Sequence, residues 1–356
     1  MPSLVFTGGG TAGHVMPNLA LAPPLQAQGW SLHYIGSTEG PERALAIGAG
    51  LSFSGIATGK LRRYFSWRNF TDPFRVLLGC WQAFAKLGEL KPDLVFSKGG
   101  FVSVPVVLAA FVRRIPVLLH ESDITPGLAN RICLPFCQRI CCSFPETLQH
   151  VSKAKGVLTG TPIRASLFQG NRKAGLQWLG FSEDKPVLMV MGGSMGAATI
   201  NQVLRSAWPR LQPNYQIVHL CGSGKTDPAF SGLPGFRQFE FVGSELPDVL
   251  AATTCVLTRG GANALFELVA LQKPCLIIPL PLGASRGDQI LNAESFAQRG
   301  LGRVIRQESL TVDSLLTGIS ELVRDASLLK AAMEKAHLSQ GTENVVAVIQ
   351  NYLDSK

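Results

Sequence analysis

The sequence predicts an α/β protein built as two doubly wound parallel-sheet domains. Three observations point there. Short apolar runs alternate with stretches of helical periodicity along the whole chain. Several of those runs end directly in glycine turns. The two halves repeat the same succession of turns.

In the first half, SLVFTG, WSLHYIG, PDLVFSKGG and IPVLLHES read as strands buried on both faces. PVLMVMGGS, YQIVHLCG, CVLTRGG and PCLIIPLP read the same way in the second. Helical patterns separate them, and strands joined through helices lie parallel. LVFTGGGTAGH is echoed by VLMVMGGSMGAATIN, DLVFSKGGFVSVP by CVLTRGGANALFE, and IPVLLHE by KPCLIIPLP. At 356 residues the chain has room for two domains. The join is expected in LTGTPIRASL, where Gly160 and Pro162 interrupt the pattern. The expected domains are residues 1–163 and 164–340, with a cleft between them. Pro23 and Pro24 fall inside the first helical pattern and are expected to shorten or kink it.

Hydrophobic residues make up 46% of the chain and charged residues 16%, so a large core can be buried. The net charge of +9 is uneven: residues 1–163 hold 15 Lys/Arg against 8 Asp/Glu, the remainder 18 against 16. The front half therefore carries most of the positive field, which suits an anionic surface or substrate. The opening MPSLVFTGGG lacks the basic region and cleavage site of a signal peptide. FVSVPVVLAAFV, the longest uncharged apolar stretch, is too short to span a bilayer. Eight cysteines without a signal are expected to be free thiols in a reducing compartment. Cys133, Cys137 and Cys141 recur every four residues, which places them on one helix face.

A glycine-rich turn between strand and helix lets a ligand approach the backbone, and the helix start offers N–H groups to an anion. Gly8, Gly10 and Gly13 fit G-x-G-x-x-G, but the acid expected about 20 residues on is missing, because Glu39 lies too far along. Nicotinamide binding is therefore disfavoured. HLCGSGKT fails as a phosphate loop, since His219 stands where glycine is required. No Asp-x-Asp occurs to hold a metal, and neither a metal nor a cofactor is expected. In RGGANALFE, Glu267 sits one turn into an apolar helical pattern. It suits either a pairing with the helix dipole or a ribose whose two hydroxyls it accepts. Gln289 in SRGDQILNA carries an amide suited to sugar hydroxyls.

GGGTAGHVMP, SKGGFVSVP, HESDITPGLAN, GTPIR, GGSMGAATIN, GGANALFE and SRGDQILNA occur in an order and spacing that resemble the MurG family, glycosyltransferase family 28. The resemblance covers nearly the whole chain. It implies a GT-B fold: two Rossmann-like domains, an active site in the cleft, and a final helix, residues 341–356, returning to the first domain. It implies transfer of N-acetylglucosamine from UDP-N-acetylglucosamine, with inversion, to undecaprenyl-diphosphate-linked N-acetylmuramoyl pentapeptide (lipid I), giving lipid II.

By the same resemblance, Ser194 and Arg164 contact the donor phosphates and Val242 presents backbone to uracil. Ala262, Asn263, Ala264, Leu265, Phe266 and Glu267 line the nucleotide, with Glu267 on the ribose and Gln289 on the sugar. Thr11, Ala12 and Gly13 lie near the transferred sugar and the acceptor diphosphate. Ala12 replaces a glycine of the family pattern, Phe101 a tyrosine, and Asp123 a common asparagine. His14 stands at the end of the first glycine loop, and histidine, which as a residue type ordinarily titrates near neutral pH, suits a general base for the acceptor hydroxyl. Binding the acceptor or its phosphate, or a structural place at the helix start, are its other readings. Asp123 is the rival base. Glu121 is a weaker one that can instead orient a neighbour.

A UDP-N-acetylglucosamine 2-epimerase shares the implied fold and donor, and a nucleotide-binding membrane scaffold is the non-enzyme alternative. Residues 60–84 hold Lys60, Arg62, Arg63, Arg68 and Arg75 against the single acid Asp72, interleaved with Phe65, Trp67, Phe70, Phe74, Leu77 and Trp81. Phe111, Arg113 and Arg114 extend the stretch. It reads as a membrane-contact patch, against a core-facing helix with a basic edge or a nucleic-acid surface. The expectation is peripheral attachment to the cytoplasmic face of the cell membrane, with no nucleic acid bound.

Overall fold

The computed structural model describes residues 1–59, 68–193, 196–283 and 285–355, with the side chains of 68–73 outside the description. The chain divides into two compact units, Met1–Arg164 with Gln340–Lys356, and Ala165–Ser339.

Unit 1 holds a parallel sheet of β1 (Ser3–Thr7), β2 (Ser31–Ser37), β3 (Ser52–Ile56), β4 (Leu94–Ser97), β5 (Val117–Glu121), β6 (Arg139–Cys142) and β7 (Gly156–Leu158). Their order is β3-β2-β1-β4-β5-β6-β7. Phe6, Phe96 and Leu118 face one core, and Val5, Val95 and Leu119 face the other. Central strands covered on both faces therefore need continuous apolar runs, as the sequence shows. The helices are α1 (Met16–Ala27), α2 (Glu42–Gly48), α3 (Arg68–Leu90), α4 (Ser103–Val112) and α5 (Leu128–Cys133). α3 carries the chain back from β3, at the sheet edge, to β4 beside β1.

Unit 2 repeats the plan with β8 (Val187–Met191), β9 (Gln216–Leu220), β10 (Phe236–Phe239), β11 (Cys255–Thr258), β12 (Cys275–Ile277) and β13 (Arg303–Val304). The order is β10-β9-β8-β11-β12-β13, all parallel. Its helices are α6 (Arg172–Leu179), α7 (Ala198–Leu211), α8 (Leu246–Ala252), α9 (Ala262–Ala270), α10 (Asp288–Gln298), α11 (Val312–Arg324) and α12 (Ala326–Lys335). α6 shows how local sequence sets the ends. The Asn171 side chain accepts the Ala174 N–H at its start, and Gly180 closes it at φ 66°.

α13 (Gly341–Asp354) then returns to unit 1. Val345, Val346 and Ile349 are buried in one cluster with Leu21 and Leu25 of α1. The Thr342 hydroxyl donates to Ile163 O and accepts the Ile163 N–H, both at 2.9 Å. Asn344 Nδ2 donates to Thr159 O at 3.0 Å.

Two expectations fail here. α1 is not shortened by its prolines but runs through Pro23 and Pro24 to Ala27. The pair removes the donors that would meet Leu19 O and Ala20 O, yet proline's fixed φ is itself helical and the backbone continues through it. Nor do the three cysteines share a helix face. Cys133 ends α5, Cys137 follows a 3-10 turn, and Cys141 lies in β6. Spacing of four has no helical meaning across a change of element. All eight cysteines are free thiols, and those three are buried. Burial is the main cause that pushes the Cys133 thiol up to about 12.

At Gly341 any Cβ would meet the Thr161 main chain. Gly341→Val is therefore expected to destabilise unit 1 by about 1–3 kcal/mol through overpacking. A chemical-denaturation midpoint equal to that of the wild type would show the α13 seam to be unimportant.

Candidate active site

In each sheet the chain winds outward on one side of the first strand and then returns to build the other. In unit 1 the reversal lies between β1 and β4, and in unit 2 between β8 and β11. Loops leaving neighbouring strands in opposite directions open a crevice at their C-terminal ends, where doubly wound folds bind ligands.

The β1 loop of unit 1 is pinned rather than loose. Tyr34, fully buried, donates its hydroxyl to Gly8 O at 2.8 Å, and Asn18 donates to the Tyr34 oxygen at 3.3 Å. Glu42, also fully buried, accepts the N–H of Ser37 at 2.8 Å and that of Gly10 at 3.2 Å. Gly10 has φ 87°, a conformation that costs glycine little. Thr11 is exposed, and Ala12, Gly13 and His14 form a half-buried 3-10 turn in which His14 N–H donates to Thr11 O at 3.1 Å.

The β4 loop faces it. Gly99 and Gly100 follow at φ 86° and 82°. A Cβ on Gly100 would lie 3.2 Å from His14 Cδ2, so the ring packs on bare backbone. His14 Nδ1 lies 3.3 Å from Lys98 O. A carbonyl only accepts, so this contact selects the tautomer with hydrogen on Nδ1 and the lone pair on Nε2. Lys98 is 2% exposed, and its ammonium donates to Ser122 Oγ in the β5 loop. Burial pushes its pKa down to about 8, against the opposing pull of Glu121 and Asp123.

Glu121 is engaged by the backbone. Its oxygens accept the Asp123 N–H at 3.1 Å, the Gly127 N–H at 2.9 Å and Asn130 Nδ2 at 2.9 Å. That geometry holds the loop carrying Asp123. Thr147 Oγ1 adds a bond to Asp123 O at 3.1 Å. His120 is fully buried, and its Nε2 meets Gly160 O at 3.0 Å. Burial, then the Lys98 charge, drives its pKa well below the usual histidine range, so it is neutral at neutral pH.

In unit 2, α9 begins at Ala262 directly after Gly260 and Gly261. Ala262, Leu265 and Phe266 are buried, while Asn263, Ala264 and Glu267 are half-buried along the first two turns. The Gln289 carbonyl oxygen accepts the Leu280 N–H at 3.1 Å, and a Cβ on Gly260 would lie 3.1 Å from Gln289 Cβ. The β11 and β12 loops thus converge on Gln289. Asn292 donates to Gly260 O at 3.1 Å, and buried Arg259 donates to Ile278 O at 3.1 Å. Val242 is half-buried in the loop after β10, and Arg164 half-buried at the end of the first segment of unit 1. Ser194 lies outside the described residues. His219 ends no phosphate loop. It is buried in β9, with Nε2 2.9 Å from Asn201 Oδ1.

The structure thus gathers Thr11 to His14 with the loops of Lys98 and Glu121–Asp123, and separately gathers Ala262–Glu267 with Gln289. Sequence reasoning passed over Lys98, Glu42 and Arg259, which organise these loops. For Lys98 and Arg259 the available signal was a charged residue just beyond a wholly apolar run, where burial demands a partner, whereas Glu42 in STEGPERAL carried no such mark.

Residues 4–142 match the glycosyltransferase family 28 N-terminal domain, and residues 187–349 match the family 28 C-terminal domain. A curated relative from Bacillus cereus (strain ATCC 10987) is 50% identical over 351 residues, which is 99% of each chain. The chain belongs to glycosyltransferase family 28. That family 28 relative is named UDP-N-acetylglucosamine–N-acetylmuramyl-(pentapeptide) pyrophosphoryl-undecaprenol N-acetylglucosamine transferase 2. A relative of the same name without the numeral, from Geobacillus thermodenitrificans, is 51% identical over 98% of each chain. Among solved structures, MurG of Acinetobacter baumannii superposes with a TM-score of 0.75 at 25% identity, over 99% of this chain and 100% of that one. A putative UDP-N-acetylglucosamine 2-epimerase from Listeria monocytogenes reaches 0.71 at 10% identity, over 99% of this chain and 97% of that one. At that identity it shows the shared fold alone. The architecture is GT-B, with one Rossmann-like parallel sheet under each family 28 domain.

Glu42 is the most testable support of the first loop. Glu42→Ala removes the acceptor of two backbone N–H groups, and a charge-assisted bond is worth about 1.5–3 kcal/mol. We expect a loss of about 2–4 kcal/mol in stability and faster hydrogen exchange at the Gly10 and Ser37 amides. Exchange unchanged at both amides would show that Glu42 does not hold the loop.

Proposed function

We propose that this family 28 glycosyltransferase moves N-acetylglucosamine from UDP-N-acetylglucosamine to the C4 hydroxyl of lipid I, making lipid II for peptidoglycan. The observation that carries the reading is end-to-end identity of about half to relatives of that name. The 2-epimerase reading has only the fold in its favour.

In this reading the acceptor C4 oxygen attacks the anomeric carbon from the face opposite UDP. The C4 hydroxyl gives its proton to a base, the bond from the anomeric carbon to the β-phosphate oxygen breaks, and UDP leaves with its electrons. The new linkage is β-1,4. His14 suits the base because the Lys98 carbonyl accepts from its Nδ1–H, which puts the basic lone pair of the ring on Nε2. Asp123 is the alternative, at the tip of the loop that Glu121 organises. Thr11, Ala12 and Gly13 offer backbone to the acceptor diphosphate. On the donor side, Arg164 and Ser194 bind phosphates, Val242 presents backbone to uracil, and Glu267 accepts from the ribose. The Gln289 carbonyl is already engaged by Leu280, so its NH2 is the part that reaches the sugar.

The deciding measurement is product analysis with labelled donor and a lipid I analogue. Disaccharide-lipid is expected, and a free epimer or no product overturns the reading. In the same assay, His14→Ala is expected to lower turnover by about 10²–10⁴ with UDP affinity nearly unchanged. If Asp123→Ala abolishes turnover while His14→Ala weakens only acceptor binding, the two roles exchange.

The reading also needs a route to a membrane-bound acceptor. Phe74, Leu77, Leu78 and Trp81 form an exposed row on α3, with Trp81 67% exposed, while Ala83 and Leu87 turn inward. Phe111 and Val112 at the end of α4 are exposed too. Arg113 lies 3.8 Å over the Phe84 ring, joining the two helices. An exposed apolar row with Arg113 beside it suits an anionic bilayer surface. Lys60, Arg62, Arg63, Phe65 and Trp67 lie outside the described residues. No helix among the described residues is long and apolar enough to cross a membrane. We infer peripheral attachment to the cytoplasmic face through this patch.

Leu77→Glu with Trp81→Glu is expected to cut co-sedimentation with anionic vesicles at least about tenfold, since burying such side chains is worth roughly 1.5–3 kcal/mol each. Wild-type binding should weaken with salt. Equal binding by both proteins would show that the patch is not the contact.

A further inference from the structure

We propose that Lys98 is a positioning residue of the transfer reaction. Its ammonium locks the Ser122–Asp123 turn while its own carbonyl aligns His14, so one residue ties both candidate bases into a single unit.

The geometry places Lys98 at the crossing of three loops. Its N–H donates to Thr7 O at 2.9 Å, which fixes it beside the end of β1. Its carbonyl receives His14 Nδ1 at 3.3 Å from the β1 loop. Its ammonium reaches Ser122 Oγ in the β5 loop. The adjoining Gly99 would place a Cβ 2.9 Å from Asn130 Oδ1, and Asn130 in turn holds both His120 O and Glu121. At 2% exposure Lys98 cannot reach a substrate. It acts through its neighbours or not at all.

A buried ammonium is costly unless it is compensated. The ionisable groups that act on this ammonium or feel it are Glu121, Asp123 and His120 from β5 and its loop, while His14 of the β1 loop meets the carbonyl of the same residue. Two are carboxylates that favour the charged lysine, and His120 is held neutral. The charge therefore belongs to a local cluster in which the ammonium counters Glu121 and Asp123. Removing it takes a cation from beside Glu121 and Asp123, and loosens the turn that carries Asp123.

The ammonium also titrates within reach of an assay. Burial holds its pKa at about 8, below the usual lysine value of 10.5. Lysine is charged below its pKa and neutral above it. As pH rises through about 8, the cluster loses its cation and turnover should fall.

The inference rests on the transferase reading, and the test separates the two. The full chain is assayed for kcat and for donor KM from pH 6.5 to 9.5, with UDP-N-acetylglucosamine and a lipid I analogue, beside Lys98→Met and Lys98→Arg. No disaccharide-lipid from the wild type would defeat the transferase reading itself. With the wild type active, kcat is expected to fall along a one-proton limb near pH 8. Lys98→Met should lose about tenfold to a hundredfold in kcat at pH 7, since small misplacements of reacting groups cost that much. Its donor KM should stay within about twofold, and its alkaline limb should vanish. Lys98→Arg, which stays charged, should restore kcat at pH 7 and hold it to pH 9. A merely structural lysine would move stability and leave the limb in place. A folded Lys98→Met protein with wild-type kcat and limb overturns the proposal, as does a Lys98→Arg protein whose limb still lies at pH 8. Should Lys98→Met fail to fold, the wild type decides: a kcat flat from pH 7 to 9.5 is incompatible with the proposal.

Discussion

Within each sheet every strand runs parallel to its neighbours, and that constraint places the candidate site loops. In a parallel sheet the C-terminal ends share one edge, so loops distant in sequence become neighbours. Where the winding reverses, the flanking loops diverge and leave their backbones accessible. Both halves put their glycine turns at that reversal, after β1 and β4 in unit 1 and after β8 and β11 in unit 2. The bond between His14 and the Lys98 carbonyl crosses the reversal in unit 1 and turns two separate loops into one surface.

Glycine serves geometry here more than looseness. Gly10, Gly99 and Gly100 take positive φ, and the segments around them are then fastened by groups from elsewhere. Glu42 reaches from α2, Tyr34 from β2 and Asn18 from α1. The outcome is a loop that presents bare backbone without paying repeatedly to order it, which is what preorganised recognition of a diphosphate requires.

Much of this was legible in the sequence, for identifiable reasons. Strands buried on both faces leave unbroken apolar runs, and the repeat of glycine turns betrays the doubled plan. The resemblance across seven segments carried the family. The exposed side of α3 was legible too, because Phe74, Leu77 and Trp81 keep helical spacing amid basic residues. What escaped depends on partners remote in sequence. Nothing local says that Glu42 meets Gly10, or that Lys98 meets Ser122. The cysteine spacing misled because periodicity presumes one element, and the chain passes from helix through a turn to strand between Cys133 and Cys141. The prolines of α1 misled about its length, because proline's φ is compatible with a helix and the burial of Leu21 and Leu25 on either side of the pair favours its continuation.

The return of α13 has a consequence for synthesis on the ribosome. The groove that receives Val345, Val346 and Ile349 is made of residues near the N-terminus, among them Leu21 and Leu25. Those residues emerge before unit 2, yet their cover emerges after the whole of it. At about 5–20 residues per second, making unit 2 takes roughly 10–35 s. Throughout that interval the nascent first half carries an open apolar seam, while unit 2 can close as soon as it leaves the exit tunnel. Unit 1 is therefore begun before unit 2 and completed only after it.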